Sequence, residues 1–162
     1  MAADHDYTVG GNAKMAWAQA AAGFILTRKV DIAALLVLDA GTDLASASKI
    51  TATEDIGVIS IPDNTWVAQT VIRIITPSTD ATATIDFGDE TNVEGWDAAC
   101  DITAAAGTNY YSNDAADAYN LQLASGKLYS AANHLDVLFN NDTTNGVFLV
   151  MALCFDFSNV DG

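Results

Sequence analysis

Residues 24–32, FILTRKVDI, alternate along an extended chain: Phe24, Leu26, Val30 and Ile32 share one face with Arg28, while Ile25, Thr27, Lys29 and Asp31 share the other. Successive side chains of a strand point to opposite faces, so this period of two predicts a half-buried strand. The period is cleaner in ATATIDF, where Ala81, Ala83, Ile85 and Phe87 alternate with Thr82, Thr84 and Asp86. In HLDVLFN it gathers Leu135, Val137 and Phe139. GVISI and WVAQTVIRII read as two further strands, and strict alternation puts Trp66 with Ala68, Ile72 and Ile74 in the core. The last run, GVFLVMALCFDF, is apolar on both faces, which predicts a central strand covered on both sides.

The punctuation fits such strands. Pro62-Asp63-Asn64 is turn chemistry and predicts a hairpin joining GVISI to WVAQTVIRII. Asn145-Gly146 tolerates positive φ and predicts a second hairpin, from HLDVLFN to the last run. Gly88-Asp89 ends the ATATIDF strand. Short strands at regular intervals with turns of this kind predict an all-β, antiparallel, jelly-roll-like sandwich over residues 24–162.

Two segments fall outside the pattern. Residues 1–23 are rich in Ala and Gly, and Trp17, Ala20, Ala21 and Phe24 stand at i, i+3, i+4 and i+7. That spacing allows an apolar helical face, so an extended or short-helical N-terminal arm is expected. Met15, Trp17 and Phe24 are its candidate contacts, with its own domain or with a neighbouring subunit. Residues 103–118, TAAAGTNYYSNDAADA, read as a long surface excursion in which Tyr110 and Tyr111 are candidates for a contact surface.

Charge narrows the partners. Six Lys and Arg against 21 Asp and Glu give a formal net charge of −15 over 162 residues. Nucleic-acid affinity comes largely from cations that displace counterions, and this chain has few to offer, so neither nucleic acid nor an anionic membrane is an expected partner. An apolar content of 51% is too high for a disordered acidic chain, and the length suits one domain. The N-terminal MAADHDYTVGG lacks the basic and apolar regions of a secretory signal, and no apolar run approaches the roughly 20 residues that span a bilayer. A soluble protein made in a cytoplasm is the expectation.

Chemistry is sparse. His5 and His134 are far apart in sequence, and there is no G-x-S-x-G and no G-x-x-x-x-G-K. The acidic stretch DFGDETNVEGWD fails the EF-hand pattern, since Gly88 falls where an oxygen ligand belongs, and a solvated acidic loop is expected there. Cys100 and Cys154 lack C-x-x-C spacing and are expected as free thiols, Cys154 as a small buried hydrophobe. No catalytic residue, cofactor or metal site is predicted.

The order of the pieces carries more than the pieces. An AGTDL-type turn at residues 41–44 precedes a strand closing in Ile61-Pro62. A Val- and Ile-rich strand at residues 67–75 follows, then Gly88-Asp89, Gly95-Trp96 and Asp101. With LYSAANHLDVLF and the apolar last strand up to Phe157, this order resembles the head decoration, or capsid cement, proteins of tailed bacteriophages, over roughly residues 30–157. The resemblance implies a β-sandwich virion structural protein on the outside of the capsid, synthesised in the host cytoplasm. It also implies a homotrimer whose other partner is the major capsid protein, and no enzyme activity. The alternative within the same reading is a receptor- or carbohydrate-binding module on a tail or head fibre.

Overall fold

The period-two runs fold into nine strands and one short helix in the computed structural model, which describes residues 23–38, 48–112, 119 and 126–158. In chain order these are β1 (Gly23–Asp31), α1 (Ile32–Leu38), β2 (Asp55–Ile61), β3 (Thr65–Thr76), β4 (Thr84–Asp89), β5 (Asn92–Asp101), β6 (Asn109–Tyr111), β7 (Lys127–Tyr129), β8 (Asn133–Phe139) and β9 (Val147–Asp156). In one sheet β9 lies between β1 and β3, and β6 and β7 pair with different stretches of the far edge of β3. The other sheet has the order β2-β8-β4-β5. All pairs are antiparallel. With β6 and β7 taken as one edge, this is the eight-strand order of a jelly roll, the architecture the alternation predicts.

The inner faces supply the core. Val67, Ile72, Ile74, Phe148, Val150, Ala152 and Cys154 come from the larger sheet, and Ile59, Ile61, Ile85, Phe87, Leu135, Val137 and Phe139 from the smaller. None is more than 5% exposed. Each large side chain buried this way contributes about 1.5–3 kcal/mol relative to exposure, and the sum drives the sheets together. Cys100 and Cys154 are both buried and are not joined in a disulfide, and burial pushes the Cys154 thiol up to about 11.

Several expectations are corrected. The two turns reverse the chain, with Asn64 at φ 52° and Gly146 at φ 123°, but neither closes a hairpin. β2 pairs with β8 while β3 pairs with β9, so Pro62-Asp63-Asn64 crosses from one sheet to the other. Asn145-Gly146 does the same between β8 and β9. Turn residues fix a local reversal; which apolar faces meet across the core fixes the pairing. Among the described residues, the turn that does join paired neighbours is Glu90-Thr91, between β4 and β5.

Trp66 does not lie in the core. The β3–β9 register steps from Val67↔Cys154 to Gln69↔Leu153, leaving Ala68 as an extra residue. A bulge of this kind inverts the alternation, so Thr65 and Val67 face inward before it and Thr70, Ile72 and Ile74 after it. Trp66 is half-buried on the outside, its ring 6.4 Å from that of Phe157.

β9 is central in its sheet, but only one of its faces is covered within the described chain. Phe148, Val150, Ala152 and Cys154 are buried, while Leu149 and Met151 are half-exposed and Leu153 is open. The stretch after Ile85 is not a solvated acidic loop either. Asp86 and Asp89 are 5% and 0% exposed, and Asp86 accepts hydrogen bonds from the Ala99 amide at 2.7 Å and the Asn140 side chain at 2.8 Å.

The alternation after Asp31 gives way to α1, where the Asp31 carboxylate caps the helix by accepting from the Ala34 amide at 3.3 Å.

Candidate functional site

The sandwich has two outer faces of opposite character, and the strand registers define both. On the larger sheet, Gly23, Phe155, Trp66 and Leu128 stand side by side across β1, β9, β3 and β7. Ile25, Leu153 and Gln69 form the next row, and Thr27, Met151, Val71 and Tyr111 the third. Lys29, Leu149, Arg73 and Asn109 close the face. Ile25 is 64% exposed, Leu128 50%, Tyr111 47%, Ile75 43% and Leu153 37%. These are the large apolar side chains most open to solvent among the described residues, and every one belongs to this sheet. Ile25, Gln69, Val71, Met151 and Leu153 line a shallow groove along its middle. Scattered exposed hydrophobics need no explanation, but a contiguous patch rimmed by polar groups marks an interaction surface.

The smaller sheet presents Asp55, Gly57, His134 and Asp136 outward, with Glu90 beside them at the β4–β5 turn. Asp136 is 5% exposed, and no hydrogen bond reaches its carboxylate among the described residues. Burial pushes it up to about 6; the Asp55 and Glu90 charges add to the rise and His134 opposes it. Asp55 is itself raised, by burial first and by Glu90, against the pull of the Ile56 amide. His134 Nδ1 stands 4.0 Å from Glu90.

One polar cluster bridges the two sheets at the end of the core. Asp89, fully buried on β4, accepts from Lys127 at 2.6 Å, Tyr129 at 2.7 Å, Tyr119 at 3.2 Å and the Thr91 amide at 2.9 Å. Tyr129 in turn accepts from the Trp96 indole at 3.1 Å. Lys127 lies over the Tyr119 and Tyr129 rings, at 4.2 and 4.9 Å from their centroids. Burial alone would raise the Asp89 carboxyl, but the bonds from Lys127, Tyr129 and Thr91 outweigh it and hold it below the usual carboxylate range. Burial and the neighbouring Asp89 push the Tyr129 phenol far up. The donors and acceptors satisfy one another, so this cluster holds β4 to β7.

The sequence-predicted contacts separate. Tyr111 joins the apolar face, whereas Tyr110 turns inward and donates its hydroxyl to the Asp101 carbonyl at 2.9 Å. Phe24 packs half-buried against the core. Met15 and Trp17 lie outside the described residues. Sequence reasoning passed over Ile25 and Leu153 as parts of a face; Ile25 stands on the polar side of its strand's alternation, and only the register brings it beside Leu153. Among the described residues, no group of three His, Cys, Asp or Glu side chains is spaced to hold a metal ion directly, and no helix is long and apolar enough to cross a membrane.

No protein-family model matches this sequence, and no curated protein matches it. Solved structures of phage capsids share its fold, among them the following three. One, described as the capsid asymmetric unit of cyanophage Pam1, superposes with a TM-score of 0.57 at 10% identity, covering 85% of this chain and 86% of that one. A second, the capsid of Ralstonia phage GP4, gives 0.54 at 11% identity over 86% and 88%. The third, an acid-stable capsid of Helicobacter pylori bacteriophage KHP30, gives 0.51 at 11% identity over 82% and 86%.

Proposed function

We propose that this chain is a structural protein of a tailed-phage virion, a decoration or cement protein on the outer surface of the head, with no catalytic role. The observation that carries this reading is the open apolar face of the larger sheet, on a fold that recurs in three phage capsid structures. A cement protein works by adhesion, and it needs a rigid core and a surface that loses water on assembly. The charge of −15 suits the outside of a head and would be repelled by packaged DNA.

The apolar face is assigned to contact between copies of this chain in a homotrimer. Interfaces between identical subunits are more apolar than transient ones, and this face is the most apolar surface the described chain offers. The acidic face and the loops remain for the major capsid protein and solvent. The glycan-binding alternative relies on Tyr110 and Tyr111 acting together at the surface, and Tyr110 is turned away with its hydroxyl bonded.

Replacing Ile25 and Leu153 together by Glu places two carboxylates side by side in the middle of the face. Sedimentation of the wild type is expected to give a trimer, and the double variant a monomer whose melting temperature falls little, because both side chains are already open. Purified heads lacking the protein should bind the wild type at high copy number and the variant at least tenfold more weakly. An unchanged association state together with unchanged head binding would remove the face from the account.

A further inference from the structure

The acidic notch on the smaller sheet has a feature that neither packing nor adhesion explains. Asp136 stands in the sheet between Gly57 of β2 and Gly88 of β4. On the Gly88 side the backbone of β5 lies directly over the strand, since a Cβ there would fall 2.0 Å from the Asn92 carbonyl oxygen. On the Gly57 side there is room for no more than a Cβ in ordinary contact, 3.4 Å from Asp136 Oδ1 and 3.7 Å from the His134 side chain. The carboxylate looks into a notch of about 370 Å³ lined by Asp55, Gly57, Glu90, His134 and Asp136.

Buried polar groups in folded proteins nearly always have a hydrogen-bond partner, and the exceptions call for an ion or a water. Asp136 is 95% buried by the exposure of its residue and accepts no hydrogen bond among the described residues. None of Arg28, Lys29, Lys49, Arg73 and Lys127 pairs with it: Lys29 lies on Asp31, Lys49 on Asp142 and Lys127 on Asp89. The charges around it aggravate the problem. Asp55 faces it from β2, Glu90 from the β4–β5 turn, and Asp89 acts on it from β4, with His134 alone in opposition.

We propose that this notch binds a hydrated divalent cation, with the Asp136 carboxylate as its direct protein ligand and Asp55 and Glu90 holding its water shell. Among the described residues no three such side chains form a group that could hold an ion by themselves, so the proposed ion is a hard cation that keeps several waters. The carboxylate and water oxygens assigned as donors favour Mg²⁺ or Ca²⁺ over softer metals. An open site with one direct carboxylate sets a weak affinity, of the order of 10⁻⁴–10⁻³ M.

The test is calorimetric titration of the full-length chain, stripped with EDTA, with MgCl₂ and CaCl₂ at neutral pH and fixed ionic strength, with NaCl as the control for screening. One saturable site is expected for at least one divalent ion, together with a rise in Tm that NaCl does not reproduce. Uptake should fade as pH drops through about 6, where protons compete for Asp136. Asp136→Asn should abolish the saturable heat, while Glu94→Gln, a change at an exposed acid outside the notch, should leave it. Asp136→Asn should also melt higher than the ion-free wild type at neutral pH, because it removes a buried unpaired charge. If that variant does not fold, the pair Asp55→Asn and Glu90→Gln decides, with an affinity loss of several-fold expected. Absence of a saturable site in the wild type overturns the proposal, as does undiminished uptake in Asp136→Asn or, where that variant does not fold, in the pair. So does a notch that ignores both ions while Asp136→Asn weakens head binding, an outcome that would assign it to a basic side chain of a partner instead.

Discussion

Asp89→Ala is expected to cost about 3–5 kcal/mol of stability, because it removes the buried acceptor that five donors share. For a chain of this size that corresponds to a fall of roughly 10 °C in Tm. Lys127, whose side chain is 22% exposed, can swing part of its charge into water, but the Tyr129 hydroxyl cannot, since Tyr129 is 3% exposed. The pH dependence follows from the direction of each shift. Asp89 is depressed in the folded state, so its stabilisation is present above its unfolded value and lost as pH falls through the lower folded one. Lys127 and Tyr129 are raised, so theirs is present below their unfolded values and lost as pH climbs through the raised ones. The gap in Tm between wild type and variant should therefore be widest from about pH 5 to pH 9 and close towards strong acid. Thermal melts of both proteins across that range check it, and a gap that is flat with pH would mean that the cluster contributes by packing rather than charge.

Trp96→Ala is expected to cost a similar 3–5 kcal/mol, the range for deleting a large buried aromatic. Trp96 is 0% exposed, meets Tyr119 edge-on with ring centroids 5.3 Å apart, and donates its indole hydrogen to Tyr129. Trp96→Phe should keep much of the packing and lose mainly the hydrogen bond, costing about 1–2 kcal/mol. Because Trp96, Tyr129 and Asp89 lie in one chain of hydrogen bonds, the costs will not add. Chemical denaturation of Trp96→Phe, Tyr129→Phe and the double variant should give a coupling energy above about 0.5 kcal/mol. Strict additivity would break the link between the indole and the phenol. The residue before the tryptophan serves the same arrangement. Tyr119 lies on Gly95, where a Cβ would fall 2.1 Å from its ring, and its amide donates to the Gly95 carbonyl at 2.9 Å.

The resemblance to phage proteins rests on the order of turns and strands, and the comparisons carry it as far as a fold shared with phage capsid structures. Ile61-Pro62, Gly88-Asp89 and Gly95-Trp96 all sit at strand ends or inside hairpin geometry. Their tertiary roles were not legible. Gly88-Asp89 looked like a strand ending in a solvated acidic loop; instead Gly88 is the gap over which β5 folds, and Asp89 is the buried anchor of the polar cluster. The sequence signal was ambiguous because Asp is common in exposed turns. Nothing local announces that Lys127, Tyr119 and Tyr129, distant in the chain, will converge on it.

By itself the sequence determined that the chain is built of strands, which face of its cleanly alternating runs is apolar, and that few cations are available to any partner. Those properties are local: alternation and turn residues act over a few positions, and charge is a sum. The tertiary structure decided the rest. It chose sheet-to-sheet crossings over hairpins at Asn64 and Gly146, turned Trp66 outward through one extra residue at Ala68, and gathered Ile25, Leu128 and Leu153 into one apolar face. Pairing between distant strands is settled by how whole faces bury against each other, and a single bulge inverts every side chain beyond it, so no window along the chain contains that information.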